Sequence, residues 1–476
     1  MCKNTIGRKK GKRARGEGRA SSSQSPLRIH KPNTNIPRHR APNNSKMGYC
    51  CGTNLEDDRK CWWTYIWSWV LLICDGICLL GFILALLPGF VRFAYYYSIS
   101  SDRKSVRYGT ASCRQSLDVY YAVEDSADSY STPSWRQEGR GSQSSHQPED
   151  SLSEQLLSND HATNNEEATA ASPNAVPRRP VVLFFPGGAW MIGYKMWAAL
   201  TARVLRQFNI VTVVSDYRNR LLPGVTMSEM VDDVTLAIEW TMQNIHKYGG
   251  DPSRITVVGQ SAGGHLATTA LLRRAIRLHD EESSNQSSSS SSNTDPSITW
   301  KPTDLCGLIA VSAPFHLPQM RSTFRKHGLS DKVLESMFLD GSNQNDYDPL
   351  VLVQRHWLES SSEGKPLPPI NVWHGARDAT VPWECAEEFA QNLEQATDRV
   401  TFQLHPTWTH TDGILEGPMS GDHSFHKDLV QAVEAWSRND SGIGNNAGPW
   451  SDDHEILKPL WTPRELAKLG MYCTPF

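Results

Sequence analysis

The chain has 476 residues, with 48 Lys and Arg against 51 Asp and Glu, so its formal net charge is −3. This near balance gives no support for a nucleic-acid-binding protein, whose domains carry a clear excess of cations. The ten cysteines form no C-x-x-C pair and no disulfide framework, which leaves zinc-ribbon and thioredoxin-like proteins without support.

Several stretches of the chain have too few large apolar residues to form a packed core. Residues 1–60 are basic and rich in Ser, Pro and Asn, residues near 127–180 are rich in Ser, Glu and Gln, and residues 282–297 are a serine-rich run. Such compositions bury too little surface to offset the entropy of the chain. We therefore expect a disordered basic N-terminal arm and two surface insertions in one large α/β domain, followed by a C-terminal tail at residues 438–476.

An apolar run at residues 62–97 is long enough for a transmembrane segment, since about 20 apolar residues span a bilayer. Tryptophans at its start and tyrosines at its end are typical of interfacial aromatic belts. We expect one long or tilted helix, with a re-entrant hairpin near Asp75-Gly76 as the alternative. Positive-inside bias would keep the basic arm in the cytosol, but a hairpin would return the following domain there, so the sequence leaves the side of that domain open.

Short apolar strands alternate with amphipathic helices after this segment. Strands are predicted at residues 116–123, 180–185, 209–217, 254–259, 305–314, 369–375 and 400–405. Helices are predicted from the periodic patterns at residues 230–250 and 384–396 and from the segment that starts near Ala262. Because most of the strands are apolar throughout, we expect a mostly parallel sheet covered by helices on both faces.

The sequence Gly259-Gln260-Ser261-Ala262-Gly263 lies between a predicted strand and a predicted helix. This is the nucleophile-elbow pattern, in which a tight turn leaves no room for bulky side chains two residues before and after the serine. Ser261 would then stand at the end of a strand and at the N-terminus of a helix, whose dipole favours negative charge. We therefore predict that Ser261 is a nucleophile.

The elbow requires an acid and a base, in the order Ser, Asp, His along the chain. Asp378 follows one predicted strand end and His410 lies in a loop after the final predicted strand, so both are expected at the edge of the sheet that carries Ser261. Competing side chains are less suitable because they sit on other elements or at strand ends where they would pack. These are His265, His374, His405, His423, His426, Asp216, Asp233 and Asp412.

Acyl transfer also requires backbone N–H donors for the oxyanion that develops. An early strand ends abruptly at Pro186-Gly187-Gly188-Ala189, where glycines would let the backbone approach a substrate. We predict that Gly187, Gly188, Ala189, Gln260 and Ala262 form the oxyanion and substrate-binding part of the site. Three aromatic side chains follow this loop and would either line an apolar groove or belong to the core: Trp190, Tyr194 and Trp197.

The motifs FFPGGAWMIGYKMW, YGGDPSRITVVGQSAGGHLA, HGARDATVP and THTDGILEGP together resemble the α/β-hydrolase fold, and within it the isoprenylcysteine methylesterase family. The resemblance covers residues 105–437 apart from the two insertions, and the preceding membrane segment agrees with that family. It implies a catalytic triad and three oxyanion donors: Ser261, Asp378 and His410, with Gly188, Ala189 and Ala262. The chain departs from related esterases at Pro186, where they often have His, so the loop is expected to be held differently.

The resemblance implies a membrane-bound serine esterase that hydrolyses the methyl ester of C-terminal isoprenylcysteine, with prenylated protein C-termini or prenylcysteine methyl esters as partners. No metal ion or organic cofactor is expected, and the endoplasmic reticulum or Golgi membrane is the expected location. The alternative enzyme is a general membrane-bound carboxylesterase or lipid deacylase. A non-catalytic scaffold of the same fold is the alternative from another class, and the complete Ser, Asp and His set argues against it.

Overall fold

The computed structural model describes residues 58–122, 178–220, 222–284, 298–327, 332–359 and 365–437, with a few isolated positions besides. Residues 1–57, which make up most of the predicted basic arm, lie outside the described part of the chain. So do most of the two predicted insertions and of the C-terminal tail.

The described residues form strands and helices in alternation. The strands are β1 (Arg103–Arg107), β2 (Ser116–Tyr120), β3 (Arg179–Phe185), β4 (Val211–Ser215), β5 (Gly250–Gln260), β6 (Gly307–Val311), β7 (Ile370–Gly375) and β8 (Val400–His405). The α-helices are α1 (Asp58–Ile99), α2 (Ala199–Leu205), α3 (Met227–Asn244), α4 (Ala262–Ser284), α5 (Leu317–Lys326), α6 (Lys332–Glu335), α7 (Pro349–Val353), α8 (Trp383–Glu394), α9 (Glu416–Ser420) and α10 (Ser424–Ser437).

The strands form one eight-stranded sheet in the order β1-β2-β4-β3-β5-β6-β7-β8. The pairs β1–β2 and β2–β4 are antiparallel, whereas the pairs from β4–β3 to β7–β8 are parallel. Strands β3 to β7 are buried on both faces, because hydrophobic clusters lie on either side of the sheet. The α/β-hydrolase fold predicted from the sequence is confirmed.

Several boundaries differ from the prediction. Strand β3 begins at Arg179, inside the segment assigned to the first insertion, because the Arg179 N–H donates to the carbonyl of Gly249 at 3.0 Å and continues the pairing with β5. Helix α4 runs to Ser284, past the predicted start of the second insertion at residue 282. The sheet also begins before residue 105, since β1 starts at Arg103.

Helix α1 is continuous through residues 75 and 76, which favours a single helix over a re-entrant hairpin. Among the described residues, the part of this helix from Trp69 to Ile99 is long and apolar enough, by length and composition, to cross a membrane. Its C-terminal half presents a buried face with Phe82, Leu86 and Phe93, which pack with side chains of α2 and α10. The helix therefore belongs to the same folded unit as the sheet.

Candidate active site

Ser261 occupies the sharp turn between β5 and α4. Its backbone has a φ of 52°, in the left-handed region that residues with a side chain rarely adopt. The turn is held by two backbone hydrogen bonds, from the Ser261 N–H to the carbonyl of Val311 at 2.8 Å and from the N–H of His265 to the Ser261 carbonyl at 3.0 Å. This strained turn is the geometry expected of a nucleophile elbow.

The glycine pattern around Ser261 has a steric cause. A Cβ on Gly263 would overlap the carbonyl oxygen of Phe185 and lie 2.7 Å from that of Pro186. Both of these atoms are backbone, so no side-chain rotation would relieve the clash. The small residue at this position allows the start of α4 to lie directly against the end of β3.

The structure brings His410 and Asp378 to Ser261 from the loops after β8 and β7. The Nε2 of His410 lies 2.9 Å from the Ser261 Oγ, and its Nδ1 lies 2.8 Å from the Asp378 Oδ2. These distances fit a Ser261 hydroxyl that donates to Nε2 and an Nδ1–H that donates to the carboxylate. Only 7% of the surface of Ser261 and of His410 is exposed, so the three groups meet in a site with little solvent.

Asp378 is held by four donors. Its Oδ1 accepts the backbone N–H groups of Thr380 at 2.9 Å and Val381 at 2.8 Å. Its Oδ2 contacts both His410 and His374, whose Nε2 lies 3.2 Å away. Burial raises the pKa of Asp378, but the imidazoles of His410 and His374 outweigh this and hold the pKa well below its usual range. The carboxylate therefore stays ionised over the neutral pH range.

His374 is the site residue that the sequence analysis missed, since it was assigned to packing at a strand end. It is fully buried, as expected, but its Nε2–H is shared between the carboxylate of Asp378 and the carbonyl of Val381, the latter at 3.0 Å. The signal available in the sequence was the spacing of four residues between His374 and Asp378 across a strand end.

The competing side chains have other partners. Asp216 and Asp233 form ion pairs with Arg114 and Arg218. Asp412 makes no hydrogen bond to His410 among the described contacts, and burial, with Glu416 and Asp422 nearby, raises its pKa to about 7. A carboxyl group in that environment is a poor partner for a developing imidazolium.

The remaining histidines also lie outside this hydrogen-bonded series. His405 stacks on Trp408 with ring centroids 3.5 Å apart. The Nδ1 atoms of His423 and His426 lie 3.1 Å from each other, and His426 also contacts Thr201. These imidazoles pack within the domain and do not contact Ser261 or Asp378.

The loop after β3 lies next to the elbow, and two of its residues, Ala189 and Trp190, have a strained backbone. Gly188, Ala189 and Trp190 all have positive φ, at 129°, 51° and 59°. Neither the Gly188 nor the Ala189 N–H donates to another residue that the structure describes, while the Gly188 carbonyl accepts from Met191 and Ile192, both at 2.9 Å. Backbone strain of this kind accumulates at sites that bind ligands.

The loop is held at both ends by side chains from other parts of the chain. The carbonyl of Pro186 accepts a hydrogen bond from the Tyr217 hydroxyl at 2.9 Å. At the other end of the loop, the Gly193 carbonyl accepts from the side chains of Asn219, at 3.1 Å, and Arg114. These contacts hold the loop without the histidine that related esterases often carry at the position of Pro186.

Gln260 contributes to the site through its side chain, which is 3% exposed. Its Nε2 donates to the backbone carbonyl of His410 at 3.1 Å, and a Cβ on Gly187 would overlap its Oε1. Gln260 therefore joins the loop after β3 to the loop that carries His410. The structure gives it a positioning contact, where the sequence had predicted a contact with the oxyanion or substrate.

Trp190 belongs to the core. The sequence had left open whether this residue and two later aromatic residues line a groove or lie in the core. Trp190 is 1% exposed, and its Nε1–H donates to the Nδ1 of His265 at 3.2 Å. The Nε2–H of His265 in turn donates to the carbonyl of Tyr347 at 2.8 Å. Tyr194 stays exposed and contacts Tyr97 of α1 edge-on, with ring centroids 6.4 Å apart.

Metal binding has no structural support in the described part of the chain. Within those ranges, no group of three or more His, Cys, Asp or Glu side chains could hold a metal ion.

Comparison with known proteins shows that the chain is similar in sequence to several esterases. The BD-FAE family model matches residues 171–393. A probable isoprenylcysteine alpha-carbonyl methylesterase of Oryza sativa subsp. japonica is 30% identical, over 71% of this chain and 63% of the rice protein. The isoprenylcysteine alpha-carbonyl methylesterase of Arabidopsis thaliana is 29% identical, over 63% of this chain and 64% of that protein. The esterase LipC of Mycobacterium tuberculosis is 28% identical, over 51% of this chain and 55% of LipC.

The chain thus spans less than two thirds of the length of each of these relatives. The strand order, the elbow and the similarity all agree with the resemblance found in the motifs. The chain has the α/β-hydrolase fold, and in sequence it is similar to the isoprenylcysteine alpha-carbonyl methylesterases.

Proposed function

We propose that this protein is a membrane-bound serine esterase that hydrolyses the methyl ester of C-terminal isoprenylcysteine. The observation that carries the proposal is the hydrogen-bonded series from Ser261 through His410 to Asp378, because this arrangement turns a hydroxyl group into a nucleophile. The substrate class comes from the relatives, two of which are named as isoprenylcysteine alpha-carbonyl methylesterases.

In the proposed reaction, the Ser261 Oγ attacks the ester carbonyl carbon while the His410 Nε2 accepts the hydroxyl proton. Asp378 keeps the Nδ1–H tautomer of His410 and stabilises the imidazolium that forms. The same proton then passes from Nε2 to the leaving methoxide, so methanol departs and the prenylcysteine carbonyl stays bonded to Ser261. Water, deprotonated by His410, cleaves this acyl-enzyme and leaves a free carboxylate on the prenylated protein.

The oxyanion of the tetrahedral intermediate needs donors that are already oriented. We assign this role to the backbone N–H groups of Gly188, Ala189 and Ala262. The Ala262 amide is in the first turn of α4, where helical amides have no partner within the helix. The strained loop after β3 supplies the others, and removing one such donor typically costs about 10²–10³ in rate.

Apolar surface beside the oxyanion loop is suited to the prenyl group. Ile192 lies three residues after Ala189 in this loop and is 57% exposed, although it is a large apolar residue. We assign it to the rim that contacts the isoprenoid chain. Helix α1 would hold this rim at a membrane, where prenylated protein C-termini are found, and we propose the endoplasmic reticulum or the Golgi as that membrane.

The test compares two esters with the full-length protein. We expect hydrolysis of a farnesylcysteine methyl ester with a kcat/KM well above that for a short acyl ester such as p-nitrophenyl acetate. Ser261→Ala should abolish both activities, with a loss on the order of 10⁴–10⁶, and should leave the fold intact. Turnover by this variant above about a tenth of wild type would contradict the assigned nucleophile.

A general carboxylesterase or lipid deacylase is the second candidate, and the similarity to the esterase LipC favours it. Preference for the short ester, or for an acyl lipid, over the prenylcysteine ester would select this candidate. Failure of a fluorophosphonate probe to label Ser261 in the folded protein would contradict both enzymes and favour a non-catalytic scaffold.

A further inference from the structure

Trp190 and His265 form a buried pair that joins the loop after β3 to helix α4. Both side chains are fully buried, and the indole Nε1 lies 3.2 Å from the imidazole Nδ1. The two rings meet edge-on, with their centroids 5.2 Å apart. Neither side chain moves a proton in the proposed reaction at Ser261, so this buried polar contact needs an explanation of its own.

The partners on either side of His265 fix its protonation state. An indole N–H can only donate, so the Nδ1 of His265 must accept from Trp190. The carbonyl oxygen of Tyr347, 2.8 Å from Nε2, can only accept, so Nε2 must carry the proton. Burial lowers the pKa of His265 to about 4, which keeps the imidazole neutral. The Nε2–H tautomer is therefore the form of His265 that satisfies both partners.

Trp190 lies in the strained part of the loop after β3. Its φ is 59°, and that of Ala189, the residue before it, is 51°. Residues with a side chain keep such a conformation only where their surroundings hold it. The surroundings of Trp190 include His265 at the indole and the N–H of Arg220, which donates to the Trp190 carbonyl at 2.8 Å. Because Ala189 and Trp190 share a peptide bond, fixing the indole also restricts the backbone of Ala189.

His265 is also bonded to the elbow. It lies one helical turn after Ser261, and its backbone N–H donates to the Ser261 carbonyl at 3.0 Å. One residue thus contacts the elbow through its backbone and the loop after β3 through its side chain. We assign two oxyanion donors to that loop, and such donors are effective only when they are oriented before the reaction.

We propose that His265 is a positioning residue for the proposed esterase reaction, in which its Nδ1 holds the Trp190 indole and thereby directs the Ala189 N–H towards the oxyanion. The inference rests on the proposed function, since it concerns the orientation of the assigned oxyanion donors. Because an oxyanion donor acts mainly in the transition state, the contact should affect kcat more than KM.

The experiment compares two substitutions of His265 that each keep one half of the imidazole. The Oδ1 of Asn can take the place of Nδ1 and accept from Trp190, whereas the amide nitrogen of Gln can take the place of Nε2 and donate to Tyr347. We expect His265→Gln to lower kcat about three- to tenfold, the effect of one neutral hydrogen bond, with KM nearly unchanged, and His265→Asn to recover most of kcat. Hydrolysis of p-nitrophenyl acetate by the full-length protein measures this, with active sites counted by a fluorophosphonate probe.

Trp190→Phe tests the same contact from its other end. It should lower kcat as much as His265→Gln does, and the double variant should lose no more than either single variant. This variant keeps an apolar ring in the core, so it also decides the question if His265→Gln fails to fold. Trp300→Phe is the matched control with wild-type kcat, because it removes another buried indole N–H, which donates to the Thr235 carbonyl at 3.3 Å and belongs to neither the loop nor the elbow.

The NMR signal of the Trp190 indole N–H, identified by its loss in Trp190→Phe, reports the contact without any esterase activity. It should lie downfield in the wild-type protein and in His265→Asn, and should move upfield in His265→Gln. An unchanged signal in His265→Gln would overturn the proposal, as would equal kcat in the Gln and Asn variants or wild-type kcat in Trp190→Phe. These outcomes would refute only the role of His265, whereas a wild-type protein that hydrolyses no ester would refute the proposed function as well.

Discussion

Replacing His374 by Phe removes the N–H that points at Asp378 and keeps a planar ring in a fully buried position. The His374 Nε2 lies 3.2 Å from the Asp378 Oδ2 and 3.0 Å from the Val381 carbonyl oxygen. A hydrogen bond to a charged group contributes about 1.5–3 kcal/mol, and this N–H is shared between two acceptors, so we expect the lower end. Since 1.36 kcal/mol corresponds to a factor of ten in rate, kcat should fall roughly tenfold. The loss stays far below the ~10⁴ expected on removing the carboxylate charge, because two backbone amides and His410 still hold Asp378.

The assay is the steady-state hydrolysis of a soluble ester, with active sites counted by a fluorophosphonate probe. KM should be unchanged, because His374 does not reach Ser261 or the oxyanion loop. His374→Gln is the matched control: its amide nitrogen can take the place of Nε2, so it should recover most of the activity. Wild-type kcat in the folded Phe variant would refute the reasoning, and so would an equal loss in both variants.

The other predictions concern the acid, the elbow and the response to pH. Asp378→Asn should lower kcat by about 10⁴, whereas Asp412→Asn should leave kcat within a few-fold of wild type, as kinetics on the same ester will show. Gly263→Ala should cost about 1–3 kcal/mol of stability or more, because its Cβ meets the carbonyl of Phe185, and thermal unfolding measures this loss. Burial lowers the pKa of His265 from 6.5 to about 4, so the unfolded chain takes up the proton first and acid destabilises the folded state. The wild-type protein should therefore lose up to about 3 kcal/mol from this residue as the pH falls from 6.5 towards 4, and His265→Gln should not show that part of the loss in urea unfolding.

The strands and turns that form the candidate site could be predicted from the sequence, because each is marked by a pattern of neighbouring residues. The tight turn at Ser261 requires small neighbours, and a run such as residues 180–185 ends where the sheet ends. Strand β1 was missed for the opposite reason. Its sequence Arg-Lys-Ser-Val-Arg lies at the exposed edge of the sheet and has one apolar residue, so it carries no hydrophobic pattern.

Contacts between distant parts of the chain could not be predicted. Whether Trp190 lines a groove or the core depends on His265, which lies 75 positions away and accepts its indole N–H. The role of Gln260 depends on the backbone of His410, 150 positions away. The short helices α5, α6 and α7 between β6 and β7 were not predicted either, because elements of four to ten residues show too little periodicity.

Helix α1 is joined to the loop after β3 by polar contacts as well as by packing. The hydroxyl of Tyr97, in its last turn, donates to Asp118 on β2 at 2.8 Å. The fully buried Asp118 carboxylate also pairs with the ammonium of Lys195 at 2.7 Å. Lys195 lies two residues after Gly193, the last anchored residue of the loop, and its backbone N–H donates to Asp216 at 2.6 Å.

These contacts argue that α1 is part of the folded domain that contains the sheet. Without the helix, the fully buried Asp118 carboxylate would keep its ion pair with Lys195 but lose the hydrogen bond from Tyr97, and a hydrogen bond to a charged group contributes about 1.5–3 kcal/mol. The domain would also expose the surface now covered by Phe82, Leu86 and Phe93, and burial of each such side chain contributes about 1.5–3 kcal/mol. The segment that the sequence predicts to be a membrane anchor therefore also supports the loop to which we assign two of the oxyanion donors.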